Sequence, residues 1–212
     1  MSSNTTKDRI IDTTMQLTSE VGLFGFSMKQ VTNRVGVSES LLFKYYETKE
    51  NLFLQCFLKV HGQIIELMES DIADNFQGGM NNGKKAVDAI HDAWVKYFNF
   101  LVENKYRTIF YFEYRDSSYI SDFRRRRNGR EELPLRKYIF SDKSRERFLK
   151  LKDGISPELF WVYLIDSTGI FAKRVIKGLS QHSAEHTEFL WRLMWRGLVG
   201  TFRDEPQLLA ES

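Results

Sequence analysis

An all-α fold follows from three observations. Apolar residues recur three and four positions apart along most of the 212-residue chain, only three prolines interrupt it (Pro134, Pro157, Pro206), and nothing reads as a hairpin. The third observation is local: residues 27–49, SMKQVTNRVGVSESLLFKYYETK, read as two short helices joined by a tight turn. Ser27 can cap the first, and Met28, Val31 and Val35 give it an apolar face that ends at Gly36. Val37 can plug the corner. Ser38 offers its hydroxyl to a second helix carrying Leu41, Leu42 and Tyr45.

A long helix is expected from Leu52 to about Asp74, on Leu52, Cys56, Lys59, Gln63, Ile64, Leu67 and Met68. The glycine-rich stretch 75–84 is the clearest loop. A helix over 86–103 carries the stripe Ile90, Trp94, Tyr97, Phe98 and Leu101, and an aromatic cluster follows over 108–115. Residues 116–136 admit no firm assignment and hold the basic run Arg124 to Arg127. That run reads as a solvated surface, with a phosphate contact or an anionic-effector site as alternatives. Pro157 opens a helix that closes at Gly178. The last helix, from about Ser183, is apolar on two faces: Trp191, Trp195, Leu198 and Phe202 on one, and Leu190, Leu193, Met194 and Gly197 on the other. Such a helix needs two partners, either a second copy of the chain or the interior of a monomer.

Composition bounds the class. The chain is 42% hydrophobic and 28% charged, as expected of a soluble globular protein. The net charge of +3 does not announce a partner. Placement is more telling, since residues 27–49 carry Lys29, Arg34, Lys44 and Lys49 against Glu39 and Glu47. The lone cysteine, Cys56, excludes a disulfide framework within the chain, and its apolar neighbours predict a buried thiol. No signal-like N-terminus and no long apolar run occurs, so a cytoplasmic protein without membrane partners is expected. Glycine-rich phosphate loops, nucleophile elbows and paired-cysteine metal motifs are missing, which points away from an enzyme and from any cofactor. His182 and His186 lie four apart and could share a helix face as metal ligands, although solvent-facing polar residues are ordinary at a helix start.

The two short helices admit two readings. They match the shape of a device that sets a short helix into a DNA major groove, and they equally match an ordinary corner in a helical protein. From about Arg9 to Leu52 the chain resembles the tetracycline-repressor (TetR) family of bacterial transcription regulators. The resemblance rests on Ile10, Ile11, Leu17, Glu20, Gly22 and Ser27, on Gly36, Val37 and Ser38, on Leu42, Phe43, Lys44, Tyr45 and Tyr46, and on Lys49, Glu50 and Leu52. There are four departures: Thr32 stands where a small residue is usual, Phe43 replaces a tyrosine that donates to a phosphate, Leu41 replaces a small or hydroxylated residue, and Glu39 brings a carboxylate to the recognition helix.

The resemblance implies a helix-turn-helix DNA-binding domain at residues 1–51 and a helical ligand-binding and dimerisation domain at 52–212. The implied protein is a homodimeric repressor on a palindromic double-stranded operator, released by a small effector. Its DNA-binding residues would be Ser27, Met28, Lys29, Ser38, Glu39, Ser40, Leu41, Phe43, Lys44, Tyr45 and Lys49. Trp94, Tyr97, Phe98, Phe110, Tyr111, Tyr114, Phe160 and Tyr163 would wall the effector cavity, with core packing as the alternative for each, and suggest a lipophilic or aromatic effector. Phe171, Trp191, Met194, Trp195, Leu198 and Phe202 would hold the dimer. An architectural or partner-recruiting DNA-bound protein without a small-molecule switch is the alternative.

Overall fold

In the computed structural model, which describes residues 6–76, 83–121 and 157–203, the fold is all-α. The helices are α1 (Thr6–Gly25), α2 (Met28–Val35), α3 (Glu39–Tyr46), α4 (Lys49–Phe76), α5 (Gly83–Glu103), α6 (Lys105–Asp116), α7 (Pro157–Ile176) and α8 (Ala184–Arg203). The basic run Arg124 to Arg127 lies outside the described residues, as does most of the glycine-rich stretch. By packing, the described residues divide into two compact units. The first holds residues 6–64 and 103–121, and the second holds 65–76, 83–102 and 157–203. α6 therefore belongs with the N-terminal helices, where it packs along α1.

The first unit is assembled from short local signals and one aromatic core. α1 buries Ile10, Met15, Leu17 and Leu23, and it turns at Gly22, whose φ of 73° suits glycine. Thr14 and Thr18 are fully buried on α1 without cost in unmade hydrogen bonds, because their hydroxyls donate to the carbonyls of Ile10 and Thr14. Phe53 of α4 meets Phe26, Phe110 and Tyr119 at 4.9, 5.9 and 5.3 Å between ring centres. One turn on, Phe57 stacks on Tyr111 at 5.1 Å and on Tyr114 at 4.7 Å. Cys56 is buried here and its thiol points to the Ile11 carbonyl, so burial pushes its ionisation up and leaves it inert.

Ionic contacts cross that core. Lys59 on α4 donates to Asp8 and Asp12 of α1 at 3.2 and 3.4 Å. Arg107 on α6 donates to the same Asp12 oxygen at 3.1 Å and to Gln63 of α4 at 3.4 Å. One carboxylate thus joins three helices, and each partner is at least partly shielded from water.

The second unit is built around Trp94 of α5. Its ring lies parallel to Phe98 at 5.4 Å and meets Trp191 of α8 at 5.5 Å, and its indole N–H donates to the Thr168 hydroxyl of α7 at 2.8 Å. Thr168 passes its own proton to Leu164 O at 2.6 Å, or to Met194 Sδ at 3.7 Å. α8 starts on Ser183, whose hydroxyl accepts from the His186 amide. Among the described residues no helix is long and apolar enough to cross a membrane.

Candidate DNA-binding site

α2 and α3 form the motif through their caps. Ser27 Oγ accepts from the Gln30 amide while Gln30 Oε1 accepts from the Ser27 amide, a reciprocal box that fixes the N-terminus of α2. Gly36 ends the helix in the left-handed region, at φ 76°, and its N–H and that of Val37 both reach the Thr32 carbonyl. Thr32, bulkier than the residue usual here, is accommodated by giving its hydroxyl to Lys29 O at 2.9 Å. Ser38 then caps α3, accepting from the Leu41 amide at 3.2 Å and sharing a hydrogen bond with Ser40 Oγ at 3.0 Å.

Helical geometry sorts the side chains of α3. Leu42 and Tyr46, four apart, are buried and hold the helix to the unit. Tyr46 also donates its hydroxyl to Lys7 O at 3.2 Å, and burial raises its pKa to about 12. The opposite side presents Glu39, Ser40, Phe43 and Lys44 to solvent, with Phe43 45% exposed. Leu41 and Tyr45 lie half-buried between the two faces. In α2, Ser27 and Lys29 are exposed and Met28 is half-buried.

Further contacts fix how α2 and α3 are carried. Arg9 of α1 donates to Val35 O at 2.9 Å, and Arg34 grips Glu20 with two hydrogen bonds of 2.9 and 3.0 Å. That guanidinium lowers the pKa of Glu20, while water screening at this exposed position keeps the pair weak. Lys49, expected among the phosphate-facing residues, turns inward instead. Its ammonium donates to Leu23 O and Phe26 O at 3.0 and 3.1 Å and lies over the Phe26 and Phe53 rings, satisfying carbonyls left open where α1 ends. Lys7, missed by the motif, holds its ammonium 5.0 Å from the centre of the Tyr45 ring, beside the exposed face of α3. The Ser27-x-x-Gln30 spacing was the sequence signal for the capping box. No comparable local signal marks Lys7.

The proposed effector residues fall into two groups. Trp94, Tyr97 and Phe98 are buried in the second unit, and Phe110, Tyr111 and Tyr114 are buried in the first. Tyr163 is 42% exposed, and the side chain of Phe160 lies outside the described residues. The proposed dimer residues separate too. Trp191 and Met194 are turned into their own unit against Trp94 and Thr168, Trp195 is half-buried and stacked on Trp191, and Phe171 is half-buried. The side chains of Leu198 and Phe202 lie outside the described residues. Among the described side chains, the large apolar ones that α7 and α8 leave in water are Tyr163, Ile170, Phe189 and Leu193. His182 bonds to Asn99 at 3.2 Å, and among the described residues no group of three or more His, Cys, Asp or Glu side chains is placed to hold a metal.

Comparison with known proteins bears on both ends of the chain. Residues 10–56 match the family model described as bacterial regulatory proteins, tetR family. A fatty acid metabolism regulator protein of Bacillus subtilis (strain 168) is 29% identical over 66 residues, a match that spans 31% of this chain and only about a third of that protein, 34%. Among solved structures, a TetR family transcription regulator from Marinobacter aquaeolei VT8 superimposes with a TM-score of 0.71 at 18% identity, covering 90% of this chain and 93% of that one. A TetR-like transcriptional regulator from Rhodococcus sp. RHA1 does so with a TM-score of 0.63, also at 18% identity, over 94% and 99%. These structures share the fold along nearly the whole chain, and the capped helix pair built on Ser27, Gly36 and Ser38 lies within the family model's match. Residues 10–56 are thus similar to the N-terminal region of tetR-family regulatory proteins, and the chain shares the fold of TetR family regulators along nearly its whole length.

Proposed function

We propose that this protein is a transcription regulator that binds a palindromic DNA operator as a homodimer, acts as a repressor and is released by a small lipophilic or aromatic effector. The observation that carries the DNA-binding part is the division of α3 into a buried anchor, Leu42 and Tyr46, and an exposed polar strip, Glu39, Ser40 and Lys44. A helix this short is not stable alone, so its fixed presentation on caps and anchors suits a groove. Selection of duplexes from a random pool by the full-length protein tests it. Recovery of an inverted repeat with half-sites about one helical turn apart, or a small multiple of it, is expected. Recovery of no preferred sequence rejects the reading.

Dimerisation is supported by the apolar side chains on the outside of α7 and α8. Phe189, Arg192, Leu193, Arg196 and Gly197 line an open groove of about 440 Å³. Gly197 leaves room for Tyr163, since a Cβ there would lie 3.1 Å from the tyrosine oxygen. Pairing of this face about a two-fold axis would present two copies of α3 to two half-sites.

For the effector, the Bacillus subtilis relative named for fatty acid metabolism makes acyl compounds the first to screen, with flat aromatic and cationic compounds next. An effector acts only through a difference in affinity between the DNA-competent and incompetent forms, and a hundredfold loss of operator affinity requires about 2.7 kcal/mol of such difference. Thermal-shift hits that also release the operator support this switch. The tight stacking of Trp94 with Phe98 and Trp191 favours a second reading, a DNA-bound protein with no small-molecule switch. Hits that raise the melting temperature yet leave operator affinity unchanged would favour that reading.

A further inference from the structure

The exposed side of α3 carries a side chain that phosphate contacts do not explain. Phe43 leaves 45% of its surface in water on a strip otherwise made of Glu39, Ser40 and Lys44. A phenyl ring cannot donate to a phosphate oxygen. Glu39 stands four residues earlier and so on the same side of the helix, about 6 Å away along the axis. Ser40 is tied to Ser38 through its hydroxyl, Lys44 lies on α3 itself, and Lys7 is poised over the Tyr45 ring of the same helix. Besides cations suited to phosphates, α3 therefore presents one carboxylate acceptor and one apolar ring.

Major-groove chemistry offers a matching pair. The apolar group on the floor of that groove is the C5-methyl of thymine, and a carboxylate can accept only from an exocyclic amine such as cytosine N4. We infer that Phe43 reads a thymine methyl in each half-site, beside a base whose amine donates to Glu39. Base pairs are stacked about 3.4 Å apart, so the 6 Å between the two side chains sets the two contacts one or two steps apart. Lys44 and Lys7 hold the register through phosphates and carry no sequence information. This assignment rests on the DNA-binding reading above and adds the chemical group that is recognised.

The experiment replaces each thymine of the selected duplex by deoxyuridine, which removes only the methyl, and measures the affinity of the full-length protein. One position per half-site is expected to lose about fourfold, the worth of one buried carbon group, and the two half-sites together roughly fifteenfold. Phe43→Ala is expected to bind the thymine and uracil duplexes equally. Phe43→Tyr, which keeps the ring, is expected to preserve the discrimination and guards against a folding defect in the alanine variant. Uniform tolerance of deoxyuridine by the wild type, or an unchanged uracil penalty in Phe43→Ala, overturns the inference while leaving DNA binding intact. Failure of the wild type to select any duplex overturns the functional reading itself.

Discussion

Two aromatic clusters of similar make-up behave as different kinds of support. In the first unit, Phe57 of α4 stacks on Tyr111 and Tyr114 of α6, and both helices are tied through Lys59 and Arg107 to Asp12 of α1. In the second, Trp94 lies between Phe98 and Trp191, and its polar attachments are a neutral hydroxyl on Thr168 and, through it, the sulfur of Met194. Charged hydrogen bonds are directional and resist displacement once partly shielded. Hydroxyl and thioether contacts adapt to small shifts at little cost. Rings supply bulk in both places, and the polar groups beside them differ: Lys59, Asp12 and Arg107 bridge α1, α4 and α6 in the first unit, whereas a threonine hydroxyl holds the Trp94 indole in the second.

The strongest way to break this contrast is to remove a ring. Phe57→Ala should cost about 3–5 kcal/mol, because stacked neighbours cannot collapse into the space. All four tryptophans, at positions 94, 161, 191 and 195, belong to the second unit, so indole emission reports that unit alone. The far-UV helical signal of the variant should begin to fall at a lower denaturant concentration than the tryptophan emission does. Equal shifts of both signals would make the units a single cooperative block.

A smaller effect is expected at the outer face of α8. Leu193→Asp places a charge where the chain is 53% exposed, so the folded monomer should lose almost nothing, while dimer affinity should fall about a hundredfold. Sedimentation across micromolar concentrations distinguishes this face from the one on which Trp195 lies, since Trp195→Asp would instead lower the melting temperature by disturbing Trp191.

The lysines sharpen the contrast further. Lys44→Ala should weaken binding to every DNA sequence alike and reduce the slope of log affinity against log salt by about one. Lys49→Ala should destabilise the fold by about 1–2 kcal/mol through the stranded Leu23 and Phe26 carbonyls, with little change in the salt slope of the protein that remains folded. A full unit lost from the slope in Lys49→Ala would mean that the ammonium leaves those carbonyls for a phosphate.

The smallest expected effect is alkaline. Folding raises the pKa of Tyr46 from 10 to about 12, so the neutral phenol is the form the fold stabilises. Its contribution is complete below pH 10 and is lost as pH climbs through 12. Tyr46→Phe, which cannot ionise, should show a shallower decline in melting temperature between those limits. Identical declines would assign the alkaline loss to other groups.

The parts of this architecture legible in one sequence are those written by neighbours in the chain. Ser27, Gly36 and Ser38 act within three or four residues, through hydroxyl caps and one left-handed glycine, and the pattern of α2 and α3 follows from them. Helical periodicity likewise located α4, α5, α7 and α8, each with ends shifted by a few residues at most from the expected ones. Partners far apart in sequence leave no such trace. Arg107 and Asp12 are 95 residues apart and Trp94 and Thr168 are 74 apart, so neither α6's place beside α1 nor the inward face of α8 could be read locally. The inward contacts of Lys49 are illegible for the same reason, because they are made to carbonyls more than twenty residues earlier.

The placement of α6 limits how this protein can be cut and recombined. A transplant of residues 1–51 onto another protein would leave behind both Lys59 and Arg107, the partners of Asp12, and one of residues 1–64 would still remove Arg107 from Asp12 and strip Tyr111 and Tyr114 from Phe57, leaving a large ring open to water. A portable reading head would need the segment from residue 103 to 121 as well, joined by an artificial linker in place of everything between. Chimeras that exchange only the helix-turn-helix should therefore express poorly, whereas those that carry both segments, or that change only the exposed side chains of α3, should keep their solubility.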